Sequence, residues 1–231
     1  MLDTIRVSIL DFTNDKISKE NGWGTTKKGL IYDYKKIKLA NKASIFMSYY
    51  SWSQSLVLHF SASKVQNGTN AIPYDFDRSD VVESIITKVV EDELGIKVST
   101  KDMLVCRLDL NLDFVFKNED RANAAMDFAE KILPARYERR FDYETGLTSQ
   151  TRQGNGVRVY RKDKDKHLPK RLREEMDPTV RFEFQLNRKA VTRTFGHRPT
   201  LHRVLTNQVA VELAWNKLLD VYGLNKKIIT R

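Results

Sequence analysis

The chain has 231 residues, of which 41% are hydrophobic, so it can bury a core and is not of the disordered class. Forty lysines and arginines against 30 aspartates and glutamates give a formal net charge of +10, which indicates a polyanionic partner. The single cysteine excludes an internal disulfide. No apolar run is long enough to span a membrane, and the N-terminal residues lack the order of a signal peptide. We therefore expect a cytoplasmic protein with no membrane association.

The first third of the chain is predicted to form strands, because aromatic and β-branched residues recur there between polar neighbours. These strands cover residues 3–10, 30–37, 43–50 and 55–61, with a loop around Gly22 and Gly24. The stretch from Ser61 to Asn70 predicts a polar turn after a strand. Its backbone amides could hold a phosphate, and a plain loop is the alternative.

The rest of the chain mixes helices and strands. A helix is expected from the cap Asp80 to Leu94, ended by Gly95. Further elements are a strand at 105–114, a helix at 119–133, a long hairpin or ribbon at 137–162, a basic helix at 169–176, a strand at 180–187 and a helix at 200–222. Strict strand–helix alternation is absent. We therefore predict an α+β fold with a central, largely antiparallel sheet and flanking helices, in a single domain over 1–231.

Two predicted strands share one pattern of residue types. The pattern is basic, apolar, acidic, apolar, amide, apolar, polar. It occurs at residues 107–113, Arg-Leu-Asp-Leu-Asn-Leu-Asp, and again at residues 181–187, Arg-Phe-Glu-Phe-Gln-Leu-Asn. With a period of two, the apolar residues take one face, and Asp109 or Glu183 takes the other. If both strands lie in one sheet, these two carboxylates converge. Carboxylates with amide oxygens beside them suit a hard cation, so the pattern predicts a Mg²⁺ or Mn²⁺ site.

An alternative interpretation of the two strands needs no metal. A half-buried antiparallel strand alternates apolar and polar residues in any case. Arginines and carboxylates on one sheet face also often pair only with each other. Both interpretations stay open from the sequence.

Tyr160 is the predicted nucleophile. In the segment 156–164, Val157 and Val159 alternate with Arg158, Tyr160 and Lys162, which share the polar face. Ionising a phenol with a pKa near 10 at pH 7 costs about 4 kcal/mol, and nearby cations offset part of that. A metal on the scissile phosphate would stabilise the charge that develops in the transfer. The alternative is a tyrosine packed on an edge strand with its hydroxyl in water.

The other tyrosines fit less well. Tyr74 lies among acidic residues, which raise the pKa of a phenol, and most of the rest are far in sequence from both acidic strands. Tyr137 and Tyr143 lie in a charged ribbon and are the serious alternatives to Tyr160.

Basic residues are dense from Arg152 to Arg173, which favours a phosphate-binding surface over mere solubility. The residues expected to bind DNA are Arg107, Arg158, Lys162, Lys164, Lys166 and Arg181. The chain has no P-loop, dinucleotide fingerprint, serine nucleophile elbow or zinc-type histidine spacing.

Several short segments, taken in order, resemble the N-terminal catalytic part of filamentous-phage replication initiators of the gene II type. More distantly, they resemble the replication-initiation proteins of rolling-circle plasmids. The segments are Met-Leu-Asp-Thr-Ile at the start, Ser61-x-x-Lys64 with Gly68-x-Asn70, Arg107-Leu-Asp109, Arg158-Val-Tyr160, and Val180-Arg-Phe-Glu183 followed by a helix. The region after Glu183 is shorter than in those phage initiators, which usually continue further.

This resemblance implies an enzyme that nicks the plus strand at a double-stranded origin. The enzyme becomes joined to the 5′ phosphate through a tyrosine, leaves a 3′ hydroxyl for a polymerase, and later rejoins the displaced strand. Carried over, Tyr160 is the nucleophile, and Asp109 and Glu183 are metal ligands. The His-hydrophobic-His motif of better-known rolling-circle initiators is absent, so Asp113, His59 or an amide would complete the ligand set.

The implied partners are origin DNA, double- and single-stranded, and the replication machinery of a host cell in whose cytoplasm the protein acts. Two other functions remain open. A conjugative relaxase performs the same chemistry at a transfer origin. A non-catalytic DNA-binding regulator of replication would keep the basic surface without needing Tyr160, Asp109 and Glu183 to converge.

Overall fold

The computed structural model describes residues 2–13, 15–26, 32–132, 139–143, 146–150, 155–166 and 168–221. The strands are β1 Leu2–Ile9, β2 Gly24–Thr26, β3 Tyr32–Lys38, β4 Ser44–Tyr50, β5 Ser55–Ser61, β6 Leu104–Val115, β7 Arg139–Tyr143, β8 Gly146–Gln150, β9 Gly156–Arg161 and β10 Thr179–Asn187. The helices are α1 Ala62–Asn67, α2 Ser79–Leu94, α3 Glu119–Ile132, α4 Lys170–Glu174, α5 Arg188–Phe195, α6 Leu201–Thr206 and α7 Gln208–Val221. The predicted α+β class with a largely antiparallel sheet is confirmed.

The chain divides into two compact units. Unit 1 comprises Met1–Leu108 and Arg188–Val211, and unit 2 comprises Asp109–Asn187 and Glu212–Arg231. The boundary falls inside β6, so this strand contributes residues to both units. The expectation of one domain over 1–231 stays a prediction.

Unit 1 is an antiparallel sheet with helices packed against its apolar face. Its strands follow the order β2-β3-β4-β5-β1, next to the first part of β6. Buried residues alternate along β1, as in Ile5 and Val7, and the register places Leu58 and Phe60 of β5 on the same apolar face. Helix α1 packs on these two strands, and α2 contacts α1 and α6. Burial of alternate residues leaves the intervening side chains on the opposite face.

Unit 2 has the strand order β6-β10-β9-β8-β7 for the second part of β6 and the strands that follow. Its apolar face carries Val157 and Val159 of β9 and Phe182 and Phe184 of β10. Helix α3 packs on β9 and β10. The Phe184 ring meets Trp215 of α7 edge-on, with ring centroids 5.1 Å apart. These contacts form the core beneath the candidate site.

Several boundaries differ from the predicted ones. The polar turn predicted after the strand at 55–61 is instead a helix, because Ala62–Asn67 form α1, whose first turn is capped by the Ser61 side chain. Its expected role in holding a phosphate stays a prediction. Asp80 is in the first turn of α2 rather than at its cap, whereas Gly95 ends the helix in the left-handed conformation as expected. The C-terminal helix is split, because Asn207 accepts a hydrogen bond from the Ala210 amide and starts a new helix.

The ribbon predicted at 137–162 is three strands rather than a hairpin, β7, β8 and β9. Helix α5 is not among the elements predicted from the residue pattern, and only the resemblance implied a helix after Glu183. Tyr137, Tyr222 and residues 152–154 of the basic run lie outside the described residues. No described helix has both the length and the apolar composition needed to cross a bilayer.

Candidate functional site

The register of β9 and β10 places Tyr160 in a row of charged residues. In this antiparallel pair Tyr160 lies opposite Arg181, and Arg158 lies opposite Glu183. Directly opposite residues project to the same face, and positions two apart along a strand do so too. The four side chains therefore share the face of unit 2 that is turned away from its apolar core.

Arg181 is fixed by Asp113 on β6. Its Nε lies 2.5 Å from Asp113 Oδ1 and its Nη2 lies 2.6 Å from Oδ2, so both carboxylate oxygens accept a hydrogen bond. The arginine is only 1% exposed. A bidentate pair at this burial holds both groups in one geometry and makes the loss of either partner costly.

Three contacts show how β6 and β10 align in unit 2. The Phe116 amide donates to the Pro178 carbonyl, Phe114 meets Phe182 edge-on, and Asp113 binds Arg181. From Phe116–Pro178 to Asp113–Arg181 the residue number falls by three on β6 and rises by three on β10, so the strands run antiparallel. The Phe114–Phe182 contact is then a diagonal one on the apolar face. We infer that Asn111 lies beside Glu183 and Asp109 beside Gln185.

The two look-alike strands therefore pair antiparallel. As a result, the predicted metal ligands Asp109 and Glu183 do not lie directly opposite each other. Asp109 and Glu183 become diagonal neighbours, a relation that places residues roughly 7–8 Å apart across a sheet. Asp109 is 3% exposed, Asn111 2% and Glu183 8%. Within the described part of the chain, no three histidine, cysteine, aspartate or glutamate side chains form a group that could hold a metal ion. Asp113, the predicted third carboxylate, faces Arg181 instead.

The cations predicted to bind DNA divide into buried and exposed ones. Lys162 is fully buried, forms an ion pair with Asp165 at 3.1 Å, and places its ammonium 5.9 Å from the centre of the Tyr160 ring. Lys162 and Arg181 are thus not positioned for direct phosphate contact. Arg158 is half exposed, with its guanidinium 3.6 Å from Glu183. Lys164 and Lys166 are exposed, and Arg107 is half-buried in unit 1.

A buried charge cluster centred on Arg161 was not predicted from the sequence. Its guanidinium binds Asp163 through two hydrogen bonds of 3.0 and 2.6 Å, and also reaches Glu119 and Asn123 of α3. These hydrogen bonds, above all the two that Asp163 accepts, raise the pKa of Arg161 further above its ordinary value. Lys164 and Arg161 together lower the pKa of Glu119. Arg161 alternates in step with Val157 and Val159, which face the core. This alternation in the sequence could have predicted that the Arg161 side chain is buried.

Two candidate tyrosines share one register row. Tyr143 on β7 pairs with Gly146 on β8, and Gly146 pairs with Tyr160 on β9. A Cβ placed on Gly146 would lie 2.5 Å from the Tyr160 Cβ and 2.7 Å from the Val159 carbonyl oxygen. Only glycine fits this close approach, so Gly146 helps to set the position of Tyr160. Tyr160 itself is half-buried.

Two other titratable candidates lie in unit 1. Burial, Arg107 and Arg6 lower the pKa of His59 to about 4, so this imidazole is neutral at pH 7. Burial raises the pKa of Tyr74 above its ordinary value, and Glu83 and Asp75 raise it further. The Tyr74 hydroxyl donates to the Leu205 carbonyl at 3.2 Å, which makes this tyrosine a structural residue.

Comparison with known proteins adds a distant likeness in fold. No protein-family model matches the chain. No curated protein sequence matches it significantly. Among solved structures, it is similar to a rolling circle replication initiator protein from Geobacillus stearothermophilus, with a TM-score of 0.44 and 11% identity. The likeness covers 90% of this chain and 79% of that one. At this similarity, a function has to be inferred from the chain's own residues.

Proposed function

We propose that the chain is a metal-dependent DNA nickase of the rolling-circle type and that Tyr160 is its nucleophile. The observation that supports this most is the register of Tyr160 opposite Arg181 and beside the Arg158–Glu183 pair. A half-buried phenol is thereby held among three cations, with one of them, Arg158, half exposed. A phosphodiester can approach such a face, because the exposed guanidinium is suited to bind its oxygens.

The proposed step is a transesterification. The Tyr160 phenol oxygen forms a bond to phosphorus, and the bond from phosphorus to the 3′ oxygen breaks. The phenol proton leaves to solvent or to a neighbouring base, and the 3′ oxygen gains a proton and becomes a hydroxyl. Nearby cations lower the cost of the developing phenolate, which is about 4 kcal/mol at pH 7 for an unperturbed phenol. Reversal of the step by a 3′ hydroxyl rejoins the strand.

The residues around Glu183 offer the type of oxygen ligand that a hard cation prefers. Asp109 and Glu183 supply carboxylates, and Asn111, inferred to lie beside Glu183, supplies an amide oxygen. These three residues would hold Mg²⁺ or Mn²⁺, which contributes charge stabilisation at the scissile phosphate when bound. Asp113 is the least suited of the predicted ligands, since Arg181 engages both of its oxygens.

The proposed substrate is the origin DNA of the replicon, and a host polymerase would extend the 3′ hydroxyl. The exposed cations Arg158, Lys164 and Lys166 are the proposed phosphate contacts. Lys162 and Arg181 contribute by orienting Tyr160 rather than by touching DNA, because both are enclosed.

The test is covalent adduct formation on supercoiled DNA that carries the replicon's own origin, with MgCl₂ or with EDTA. Wild-type protein is expected to form a denaturation-resistant protein–DNA adduct only with the metal. Tyr160→Phe removes one hydroxyl and keeps the ring, so it is expected to abolish the adduct while the protein still folds. Tyr49→Phe is the matched control, because Tyr49 lies in unit 1 with its ring against Phe12.

Tyr143→Phe separates the two tyrosines of the register row. If the Tyr160→Phe protein still forms the adduct and the Tyr143→Phe protein does not, Tyr143 is the nucleophile and Tyr160 a neighbour. Asp109→Asn is expected to lower nicking far more than DNA binding, since it weakens cation binding without changing the shape of the side chain.

A second function, DNA binding without catalysis, is favoured by one observation. The Asp113–Arg181 and Glu183–Arg158 pairs satisfy charged groups of this face without a metal. A protein that binds origin DNA with the same affinity in MgCl₂ and EDTA, and never nicks it, would have this function.

A further inference from the structure

The open face of the unit 1 sheet carries a lateral row of aromatic and basic side chains. The strand registers pair Lys36 with Phe46, Phe46 with His59, and His59 with Arg6. These four residues come from β3, β4, β5 and β1 in spatial order. Directly opposite residues project to the same side, so the row crosses the sheet on one face. The opposite face is the apolar one that the helices cover.

Large aromatic side chains on and beside this face are open to solvent. Phe46 is 44% exposed, Tyr34 45% and Trp52 70%. Tyr34 is two residues from Lys36 on β3, and Trp52 follows β4 with its ring edge-on to Tyr50, at a centroid distance of 6.3 Å. A single exposed aromatic residue is ordinary on a protein surface, whereas a group of them marks a binding surface.

Cations accompany the rings. The Lys36 ammonium lies 5.1 Å from the centre of the Phe46 ring, and an Arg6 nitrogen donates to the Tyr50 hydroxyl at 3.1 Å. Across β1, β3, β4 and β5 in the described part of the chain, this face has basic residues and no acidic ones. Its basic residues are Arg6, Lys36 and Lys38.

The middle of the face is hollow. A cavity of about 280 Å³ lies among Arg6, Tyr34, Phe46, Ser48, Tyr50 and His59. The His59 ring lies next to Phe46, with centroids 6.4 Å apart, and is neutral at pH 7 because burial, Arg107 and Arg6 lower its pKa to about 4. The hollow is therefore lined by uncharged rings and flanked by cations.

We propose that this face is a stacking platform for single-stranded DNA, separate from the tyrosine face of unit 2. Bases have π faces that stack on exposed aromatic rings, and their phosphates are attracted by lysine and arginine, so a single strand satisfies both parts of the surface. A protein partner would not require a face free of carboxylates, and the bases of a duplex are not available for stacking. In choosing DNA over RNA, the inference rests on the proposed function, which produces a displaced single strand.

The test measures binding of the full chain to a fluorescein-labelled oligo(dT) of about 12 nucleotides, a length within the range of single-strand sites. EDTA is present, so that no cleavage occurs. Phe46→Ala is expected to weaken binding by about tenfold or more, as the loss of one stacked base does. Phe46→Leu keeps the bulk and loses the π face, so it is expected to weaken binding to a similar degree. Ile72→Ala, which truncates an exposed apolar residue elsewhere in unit 1, is the matched control.

Tryptophan emission gives an independent readout. Of the three tryptophans, Trp23 and Trp215 are buried and Trp52 is 70% exposed. Oligo(dT) is therefore expected to quench the emission of Trp52, and the quenching should disappear in Trp52→Phe.

Three results would overturn the proposal. The first is that Phe46→Ala binds oligo(dT) as tightly as wild type, and the second is that wild type binds oligo(U) as tightly as oligo(dT). The third is that Phe46→Ala weakens the binding of duplex DNA as much as the binding of oligo(dT). Tyr160→Phe is expected to bind oligo(dT) like wild type. If wild type nicks DNA but Phe46→Ala binds oligo(dT) normally, the stacking platform is refuted and the nickase is not. If Phe46→Ala loses oligo(dT) binding but wild type does not nick DNA, the nickase is refuted and the platform is not.

Discussion

The polar faces of the two units follow the same strand alternation but are built from different side chains. In unit 2, cations face carboxylates: Arg181 binds Asp113, and Arg158 lies beside Glu183. In unit 1, the cations Arg6, Lys36 and Lys38 share their face with aromatic rings and with no carboxylate of β1, β3, β4 or β5. Paired, enclosed charges fix geometry, whereas exposed cations beside rings remain available to a ligand. We therefore propose that the chemistry belongs to unit 2 and strand binding to unit 1.

The largest effect we expect comes from breaking the Arg161 cluster. Arg161→Met leaves the enclosed Asp163 carboxylate without its guanidinium, which should lower the free energy of unfolding by about 3–5 kcal/mol. Lys36→Met, its matched variant on the exposed face of unit 1, should change it by less than about 0.5 kcal/mol. Urea denaturation measures both. Equal losses would mean that the cations of the two units do not differ in role.

Gly146→Ala should have the next largest effect. The added methyl group would lie 2.5 Å from the Tyr160 Cβ, so β8 or Tyr160 has to move. We expect a loss of about 1–3 kcal/mol in the free energy of unfolding, as for other overpacked sites. Adduct formation should fall with it, while oligo(dT) binding stays unchanged. A fully active Gly146→Ala protein would show that the position of Tyr160 is not critical.

His59 makes the stability of unit 1 dependent on pH. Its pKa falls from 6.5 in the unfolded chain to about 4 in the fold, so the unfolded state binds more protons between these values. Stability should therefore decrease as the pH falls from 6.5 towards 4, by about 2 kcal/mol after allowance for the partial exposure of the ring. His59→Gln should remove this part of the pH dependence, measured by urea denaturation at pH 7 and 4.5. An identical pH dependence of the variant would contradict the neutral imidazole.

The smallest effect concerns the exposed lysines of unit 2. Replacing Lys164, Lys166 and Lys170 by glutamine should make the binding of duplex DNA less sensitive to salt. Each lost phosphate contact changes the slope of log K against log salt by about 0.9. Glutamine at Lys88, Lys97 and Lys101, exposed lysines of unit 1, is the matched control. Equal slopes for the two triple variants would assign the basic run to solubility.

Much of the secondary structure follows from local patterns. The strand predicted at 55–61 matches β5, and the helix predicted to end at Gly95 does so. The break at Asn207 was missed, because the apolar periodicity continues across it while the Asn207 side chain caps a new helix. Arg161 was missed for a related reason, since the basic run was treated as surface although its alternation with Val157 and Val159 directs it inward.

Strand alternation, a local property of the sequence, determined which residues share a face: Tyr160 with Arg158, and Asp109 with Asn111 and Asp113. Which of them meet was decided only by the pairing of distant strands. The look-alike strands run antiparallel, so Arg181 faces Asp113 and the two predicted metal ligands are diagonal rather than opposite. The row from Lys36 to Arg6 likewise needs four strands in one register. A repeat of two along the chain cannot specify these pairings, because register depends on contacts between segments far apart in sequence.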